Sequence, residues 1–502
     1  MILDLFDNLQ IGFAHVVTPI NLLYCFIGVF LGTLIGVLPG LGPAATIAIL
    51  LPMTFTLDPT TSLIMLAGIY YGAQYGGSTT AILVNLPGES SSVVTALDGY
   101  QMARQGRAGL ALATAALASF FAGTVAALVI ALAGPLMAAV ALSFGAADYF
   151  ALMVLGLTAS VALAQGSLVK ALGMVTFGLI VGLVGVDVTS GSSRMTFGLP
   201  DLLDGISIVA VAMGLFGLGE IMLNLTDGEE ARSRQKEPVR ITLPNRQEMK
   251  QISGPVVRGT VIGSVLGILP GGGALLSSFT AYAVEKKISK EPSRFGRGAI
   301  EGVAAPEAAN NAGAQTSLIP LLTLGLPSNV IAALMAGALI IQGIQPGPQI
   351  ISSQPALFWG LVASMWIGNL MLVLLNLPMI GLWVRLLRMP YKFLFPAILV
   401  FCSVGVFSLQ FSSFSIWVMV VFGALGYLLR RLDCEPAPFL LGMILGPMME
   451  EYFRRAMLLS RGDPMVFLER PISATLLVLA ALAMISISIP ALRARRDAAL
   501  KE

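Results

Sequence analysis

Two stretches of this chain repeat one another. Residues 28–42 read GVFLGTLIGVLPGLG and residues 259–273 read GTVIGSVLGILPGGG. At a constant offset of 231 residues, Gly28, Gly32, Gly36, Leu38, Pro39, Gly40 and Gly42 match Gly259, Gly263, Gly267, Leu269, Pro270, Gly271 and Gly273. A second shared pair follows each copy. The first is Gly72-Ala73-Gln74 with Leu86-Pro87-Gly88-Glu89, the second Gly313-Ala314-Gln315 with Leu326-Pro327-Ser328-Asn329, and the spacing within the pair differs by one residue between copies. A duplicated apolar unit, broken by glycine and proline at corresponding places, points to a secondary transporter whose site lies where the repeats meet.

Composition sets the solvent. Hydrophobic residues fill 56% of the 502 positions and charged residues only 11%, which excludes a soluble globular chain. Apolar runs at 108–140, 171–186, 205–225, 357–384 and 472–490 suit membrane helices. No basic surface domain is present for nucleic acid. Cys25, Cys402 and Cys434 lie far apart, make no metal spacing and pack as small apolar residues. No lysine or arginine precedes Arg104, so a signal peptide's basic segment is missing and the first helix is expected to stay in the mature chain.

Lysine and arginine mark loops on the cytoplasmic side. Arg232, Arg234, Lys236, Arg240, Arg246, Lys250 and Arg258 place the loop before the second copy inside, while the stretch before the first copy has no basic residue and is expected outside. The repeats are therefore expected to be inverted. Residues 256–269 would cover only about 21 Å as a helix, against a hydrocarbon core of about 30 Å. The following loop, with Lys286, Lys287, Lys290, Arg294 and Arg297, is also expected inside. The chain then enters and leaves on one side, as a re-entrant hairpin. The expected fold is an all-α polytopic membrane protein with two inverted-topology repeats, each holding a re-entrant helical hairpin and a broken transmembrane helix, with about 11 crossings plus two hairpins. The first repeat spans 1–226 (hairpin 19–57, broken helix 63–97), a cytoplasmic linker 227–255, and the second repeat 256–450 (hairpin 256–284, broken helix 303–342). Residues 451–502 form a charged loop and a final helix at 472–490. In that loop Arg454, Arg455, Arg461 and Arg470 fall outside by count, against the positive-inside tendency, so either a segment is miscounted or acidic neighbours and a partner pin it.

The glycine stripes suit tight helix packing. The tips at Pro39, Gly40 and Gly42 and at Pro270, Gly271 and Gly273 remove backbone donors and allow turns closed to other residues. At membrane depth such backbone needs shelter from protein or a watery cavity. Asn85, Pro87, Gly88, Ser90 and Ser91, and their counterparts Pro327, Ser328 and Asn329, each start a short helix whose free N–H groups attract an anion. Gln74, Ser78, Thr79 and Thr80, with Asn310, Asn311, Gln315, Thr316 and Ser317, offer uncharged oxygens that suit either Na⁺ or interhelical hydrogen bonds. Glu307 is an intramembrane carboxylate that either carries protons or caps a helix. His15 is the only histidine and has no partner motif, and no Walker A sequence is present.

These motifs resemble the large membrane subunit of the tripartite tricarboxylate transporters, the TctA family, over nearly the full length. The likeness rests on GVLPGLGP at 36–43, YGGSTTAILVNLPGE at 75–89, PEAANNAGAQ at 306–315, LGLPSN at 324–329 and LGPMMEEYFRRAMLLSRGD at 445–463. It implies a multi-pass permease of the bacterial inner membrane. Such a permease works with a small TctB-like membrane subunit and a periplasmic TctC-like binding protein that delivers carboxylates, and it runs on an ion gradient of Na⁺ or H⁺ without another cofactor. An intramembrane enzyme and an anion channel are the other classes. The first would need a catalytic pair that His15 and Asp463 do not supply, and paired inverted hairpins favour alternating access over a continuous pore.

Overall fold

A computed structural model describes residues 2–38, 42–85, 88–164, 167–187, 190–226, 241–269, 273–386 and 391–488. The expected tip residues Pro39, Gly40, Pro270 and Gly271, the break residue Pro87 and the side chain of Ser90 lie outside this description, as do Arg232, Arg234, Lys236 and Arg240. In chain order the helices of the first half are α1 (Ile2–Val16), α2 (Pro19–Gly36), α3 (Pro43–Leu50), α4 (Pro59–Val84), α5 (Val93–Arg104), α6 (Ala108–Ala141), α7 (Ala146–Leu163), α8 (Leu168–Gly182), α9 (Ile208–Ala212) and α10 (Gly219–Thr226). The second half gives α11 (Arg246–Ile268), α12 (Gly273–Ile288), α13 (Glu301–Thr316), α14 (Leu318–Leu324), α15 (Val330–Ile341), α16 (Ile350–Ser353), α17 (Pro355–Asn376), α18 (Ile380–Leu386), α19 (Tyr391–Gln410), α20 (Ser413–Arg431), α21 (Pro436–Leu459), α22 (Val466–Glu469) and α23 (Pro471–Ser488). Pro19, Pro43, Pro59, Pro355 and Pro436 each sit in a first turn, where their fixed φ helps and the missing N–H costs nothing. Among the described residues α2, α6, α17 and α20 are long and apolar enough to cross a membrane, which makes this a helical membrane protein.

The glycine stripes bring helices together backbone to backbone. Gly28, Gly32 and Gly36 on α2 face the carbonyls of Met65, Ile69 and Ala73 on α4, and Gly259, Gly263 and Gly267 on α11 face those of Ala305, Ala309 and Gly313 on α13. A Cβ at Gly36 would lie 2.5 Å from the Ala73 carbonyl oxygen, and one at Gly267 2.5 Å from that of Gly313. Only hydrogen fits there. With α2 so close, α4 is buried on every side from Thr61 to Leu83, so its polar residues point into protein.

The two halves separate in sequence and interleave in space. Helix α6, from the first half, packs on α13 and α11, and α17, from the second, packs on α4 and α2. Helix α8 packs on α21, and α20 packs on the π-helical segment Met213–Leu218 between α9 and α10. The ends sort by charge. Gln105, between Arg104 and Arg107, donates from Nε2 to the Arg297 carbonyl at 2.9 Å, which joins two basic loops. Gln342, after α15, donates to the Thr54 carbonyl at 3.2 Å, which joins two ends without basic residues.

Several boundaries need correction. Helix α11 starts at Arg246, ten residues before the expected hairpin arm, because Asn245 caps it and Glu248 completes a capping box. Its 23 residues reach about 35 Å, so the argument from a short first arm fails. The shorter helices are those after the two Leu-Pro-Gly motifs, α3 with 8 residues and α12 with 16. Hydropathy marks where the apolar stretch begins, and the polar first turns of α11 lie beyond it. The linker assigned to 227–255 accordingly gives up its last ten residues to helix. Likewise α21 runs to Leu459 and takes Arg454 and Arg455 out of the expected 451–470 loop. Arg454 pairs with Glu450 at 2.6 Å and Asp187 at 3.3 Å, and Arg194 with Glu450 at 2.9 Å, so acidic neighbours do hold this basic segment. Helix α1, packed along α17, was not expected, and a two-stranded ribbon, Gly185–Val186 with Ser193–Arg194, interrupts the all-α pattern. The first broken helix starts at Pro59 and its second part continues to Arg104, beyond the expected 63–97.

Gly36→Val and Gly267→Val should each cost about 2–4 kcal/mol of stability by forcing the helix pairs apart. Gly173→Val, where an added Cβ meets nothing within 4 Å, should cost none. Thermal unfolding of the detergent-purified protein compares the three, and equal midpoints would refute the packing argument.

Candidate functional site

Helices α4 and α14 stop in the same way. Asn85, after α4, and Gly325, after α14, take left-handed backbone at φ 58° and φ 72°. Glycine adopts this freely and asparagine is the side chain that tolerates it best. After the stop the chain folds back on its own helix. Gly88 donates its N–H to the Gly77 carbonyl at 3.4 Å, and Ser328 donates its hydroxyl to the Ser317 carbonyl at 2.8 Å. The next residues, Glu89 and Asn329, are extended and begin the helical segments that follow. All these pairs lie at an offset of 240, as do the carbonyls facing the glycine stripes. The Gly-Ala-Gln likeness is one residue out of this register, so Gln74 stands opposite Ala314 and Gln315 opposite Tyr75.

Helices α3 and α12 each meet the segment that follows the other half's break. Helix α3 packs on α15, and α12 packs on the short turn Ser90–Ser92. Ser278 on α12 donates to the Ser91 carbonyl at 2.9 Å, and Asn310 on α13 donates to Glu89 Oε1 at 2.9 Å. Between these elements lies a cavity of about 960 Å³. Its walls include Gly42 and Gly273 from the two tips, Gly88 and Ser91 from the first restart, Asn329 from the second, and Gln74 from α4. Asn329 caps α15 by accepting the Ala332 N–H on Oδ1 at 2.8 Å, and its Nδ2 lies 3.4 Å from where a Cβ on Gly273 would stand. The chemistry offered is therefore amide and hydroxyl donors beside two glycine turns, in a space suited to a small organic molecule.

The remaining expected residues do other work. Asn85 is exposed and ends α4, and Ser328 is buried with its hydroxyl spent on Ser317. Neither is among the residues lining the cavity, nor is Pro327. Thr80 donates to the carbonyls of Val37 and Gly76, Thr316 to that of Ala312, and Thr79 to that of Tyr75. Gln315 donates to Asn369 Oδ1 at 3.1 Å. Glu307 and Asn311 share a network with Ser119 away from the cavity. Thr80 and Gln315 thus bond across to other segments, Thr79 and Thr316 turn back on their own helices, and Gln315 Oε1 and Asn310 Oδ1 have no hydrogen-bond partner. Sequence reasoning missed Glu89, Tyr70, Lys170 and Arg430 in the cavity wall. Two signals were available: Tyr70 stands one turn before Gln74, and Glu89 is an ionisable residue in an apolar setting. Lys170 and Arg430 come from distant helices, and only the fold brings them here.

A family model described as the tripartite tricarboxylate transporter TctA family matches residues 22–441. An uncharacterized 52.8 kDa protein in the TAR-I ttuC' 3'region of Agrobacterium vitis is 58% identical over 495 residues, covering 99% of this chain and 98% of its own length. An uncharacterized protein in the TAR-II ttuC' 3'region of the same organism is 59% identical over 235 residues, covering 47% of this chain and 97% of its own length. No solved structure matches.

Ser328→Ala should cost about 1–2 kcal/mol, since it removes a buried hydrogen bond and leaves a carbonyl short of a partner. Ser91→Ala, whose hydroxyl stands 3.5 Å from Gln74 Oε1 at the cavity wall, should cost much less. Thermal unfolding distinguishes them, and a wild-type midpoint for Ser328→Ala would contradict its structural role.

Proposed function

The chain belongs to the tripartite tricarboxylate transporter TctA family, and from that membership we propose that it is the large permease subunit of a binding-protein-dependent secondary importer of tricarboxylates or related carboxylates. The observation that carries this reading is the 960 Å³ cavity where the tips and restarts of both halves converge. Two helix starts present N–H groups and positive dipole ends to one space, so a carboxylate can be held with few buried cations. Gly88, Ser91 and Asn329 form the contact surface, and the sequence assigns Pro87 and Ser90 to the same turn. Lys170 and Arg430 also line the cavity, together with Asp433 and Glu435.

Glu89 stands in this cavity at the position matching Asn329, and a charged carboxylate there repels the substrate. A Na⁺ or H⁺ that neutralises Glu89 would favour substrate entry, which links binding to an ion gradient. The two contacts that sort basic from non-basic ends support inverted repeats. The hairpins and broken helices form the unit that moves past the remaining helices, in an elevator cycle. A TctC-like protein delivers the substrate at the outer face and a TctB-like subunit completes the complex in the bacterial inner membrane.

The test is uptake of candidate acids by the three-part system in proteoliposomes. Asn329→Ser keeps an N-cap oxygen for α15 but removes the amide donor. It should raise the KM for the transported acid about 10-fold or more while the unfolding midpoint stays near wild type. Unchanged uptake kinetics in the double variant Asn329→Ser, Ser91→Ala would end the assignment of the cavity to substrate.

A further inference from the structure

Away from the cavity, one turn of α13 carries Glu307, Asn310 and Asn311 on one face. Glu307 is 1% exposed. Its Oε1 accepts from Ser78 Oγ at 2.8 Å and Thr95 Oγ1 at 2.6 Å, and its Oε2 accepts from Ser119 Oγ at 3.3 Å. Asn311 Nδ2 donates in turn to Ser119 Oγ at 2.6 Å. These donors come from α4, α5, α6 and α13 and all are neutral. Among the described residues, no lysine or arginine forms an ion pair with Glu307. A buried carboxylate without a positive partner is costly.

Beside this carboxylate is a void of about 20 Å³, lined by Tyr75, Ser78, Thr79, Ser119, Glu307 and Asn376. That is room for one small occupant. Asn376, on α17 and 6% exposed, spends its Nδ2 on the Leu372 carbonyl at 2.9 Å, and its Oδ1 has no hydrogen-bond partner. The wall thus holds a carboxylate, hydroxyl oxygens and an unused amide oxygen, with nothing positive among them. Water would satisfy the amide but leave the charge. A hydroxyl can donate its hydrogen to the carboxylate and turn a lone pair to a cation at the same time. Oxygen ligands suit a hard cation. We propose that this void is a Na⁺ site, with ligands from Glu307, Asn376 and the hydroxyls of Ser78 and Ser119. It deepens the transport reading and rests on it for one point only, that the bound Na⁺ is the coupling ion. Asn310, on the same turn as Glu307, donates to Glu89 in the cavity wall, so the ion site and the cavity share one helical turn.

The test uses the full-length protein in nanodiscs. Its unfolding midpoint is followed against NaCl, with choline chloride holding ionic strength constant. A saturable Na⁺-specific rise of about 2–5 °C is expected for the wild type. Glu307→Gln and Asn376→Leu should each abolish it, and loss of ²²Na⁺ binding by either variant would corroborate the site without a thermal readout. A midpoint indifferent to Na⁺ means a water-filled void and overturns the proposal. An undiminished response in both variants places the ion elsewhere and overturns it too. Uptake driven by a proton gradient in Na⁺-free medium would reject Na⁺ coupling while leaving the carboxylate reading intact. Absence of uptake under any gradient, with the thermal response preserved, would sink the transport reading and leave the ion site standing.

Discussion

Two backbone-on-backbone contacts carry the rest of the molecule. Where α2 meets α4 and α11 meets α13, glycine lets one helix rest on the carbonyls of the next. Without an apolar-solvent advantage inside a membrane, close packing of this kind is what holds helices together. Gly42 and Gly273, which follow the two stripes in sequence, both line the cavity. Polar residues on α4 and α13 are then enclosed on all sides, and some reach partners in neighbouring segments, as Thr80 does at Val37, Thr316 at Gly263 and Gln315 at Asn369.

The two halves agree in backbone and differ in side chain. The left-handed stop is Asn85 in one and Gly325 in the other. The fold-back bond is made by an amide at Gly88 and by a hydroxyl at Ser328. At the next position the difference is in charge, Glu89 against Asn329. A symmetric pair of asparagines would serve to hold an anion, and a symmetric pair of glutamates would expel one. On the proposed function, one of each would make the cavity's affinity for a carboxylate depend on what neutralises Glu89.

Much of this was legible from residue types and spacing. The membrane class follows from composition and apolar runs, and the two breaks follow from glycine and proline placement, because those residues act locally. The cavity-lining status of Gly42, Gly88, Ser91, Gly273 and Asn329 followed from the same pattern. What escaped depends on distant contacts or on polar sequence that still forms helix. Lys170 and Arg430 reach the cavity only through packing of α8 and α20. The start of α11 hides behind its cap in a charged stretch, and α21 carries Arg454 onward because Glu450 and Asp187 balance it. Ser328, a serine after a proline break, has a fold-back bond to Ser317 that shows only once the chain is folded.

The exchange of α6 and α17 between halves bears on how the protein is made. A chain inserted from its N-terminus has α6 in the membrane well before α13, the helix it packs against, is synthesised. Ser78, Thr95 and Ser119 then wait without Glu307, in a groove lined by hydroxyls. Glu307 arrives only with the second half, so this hydrogen-bonded core can be completed only after α13 is made.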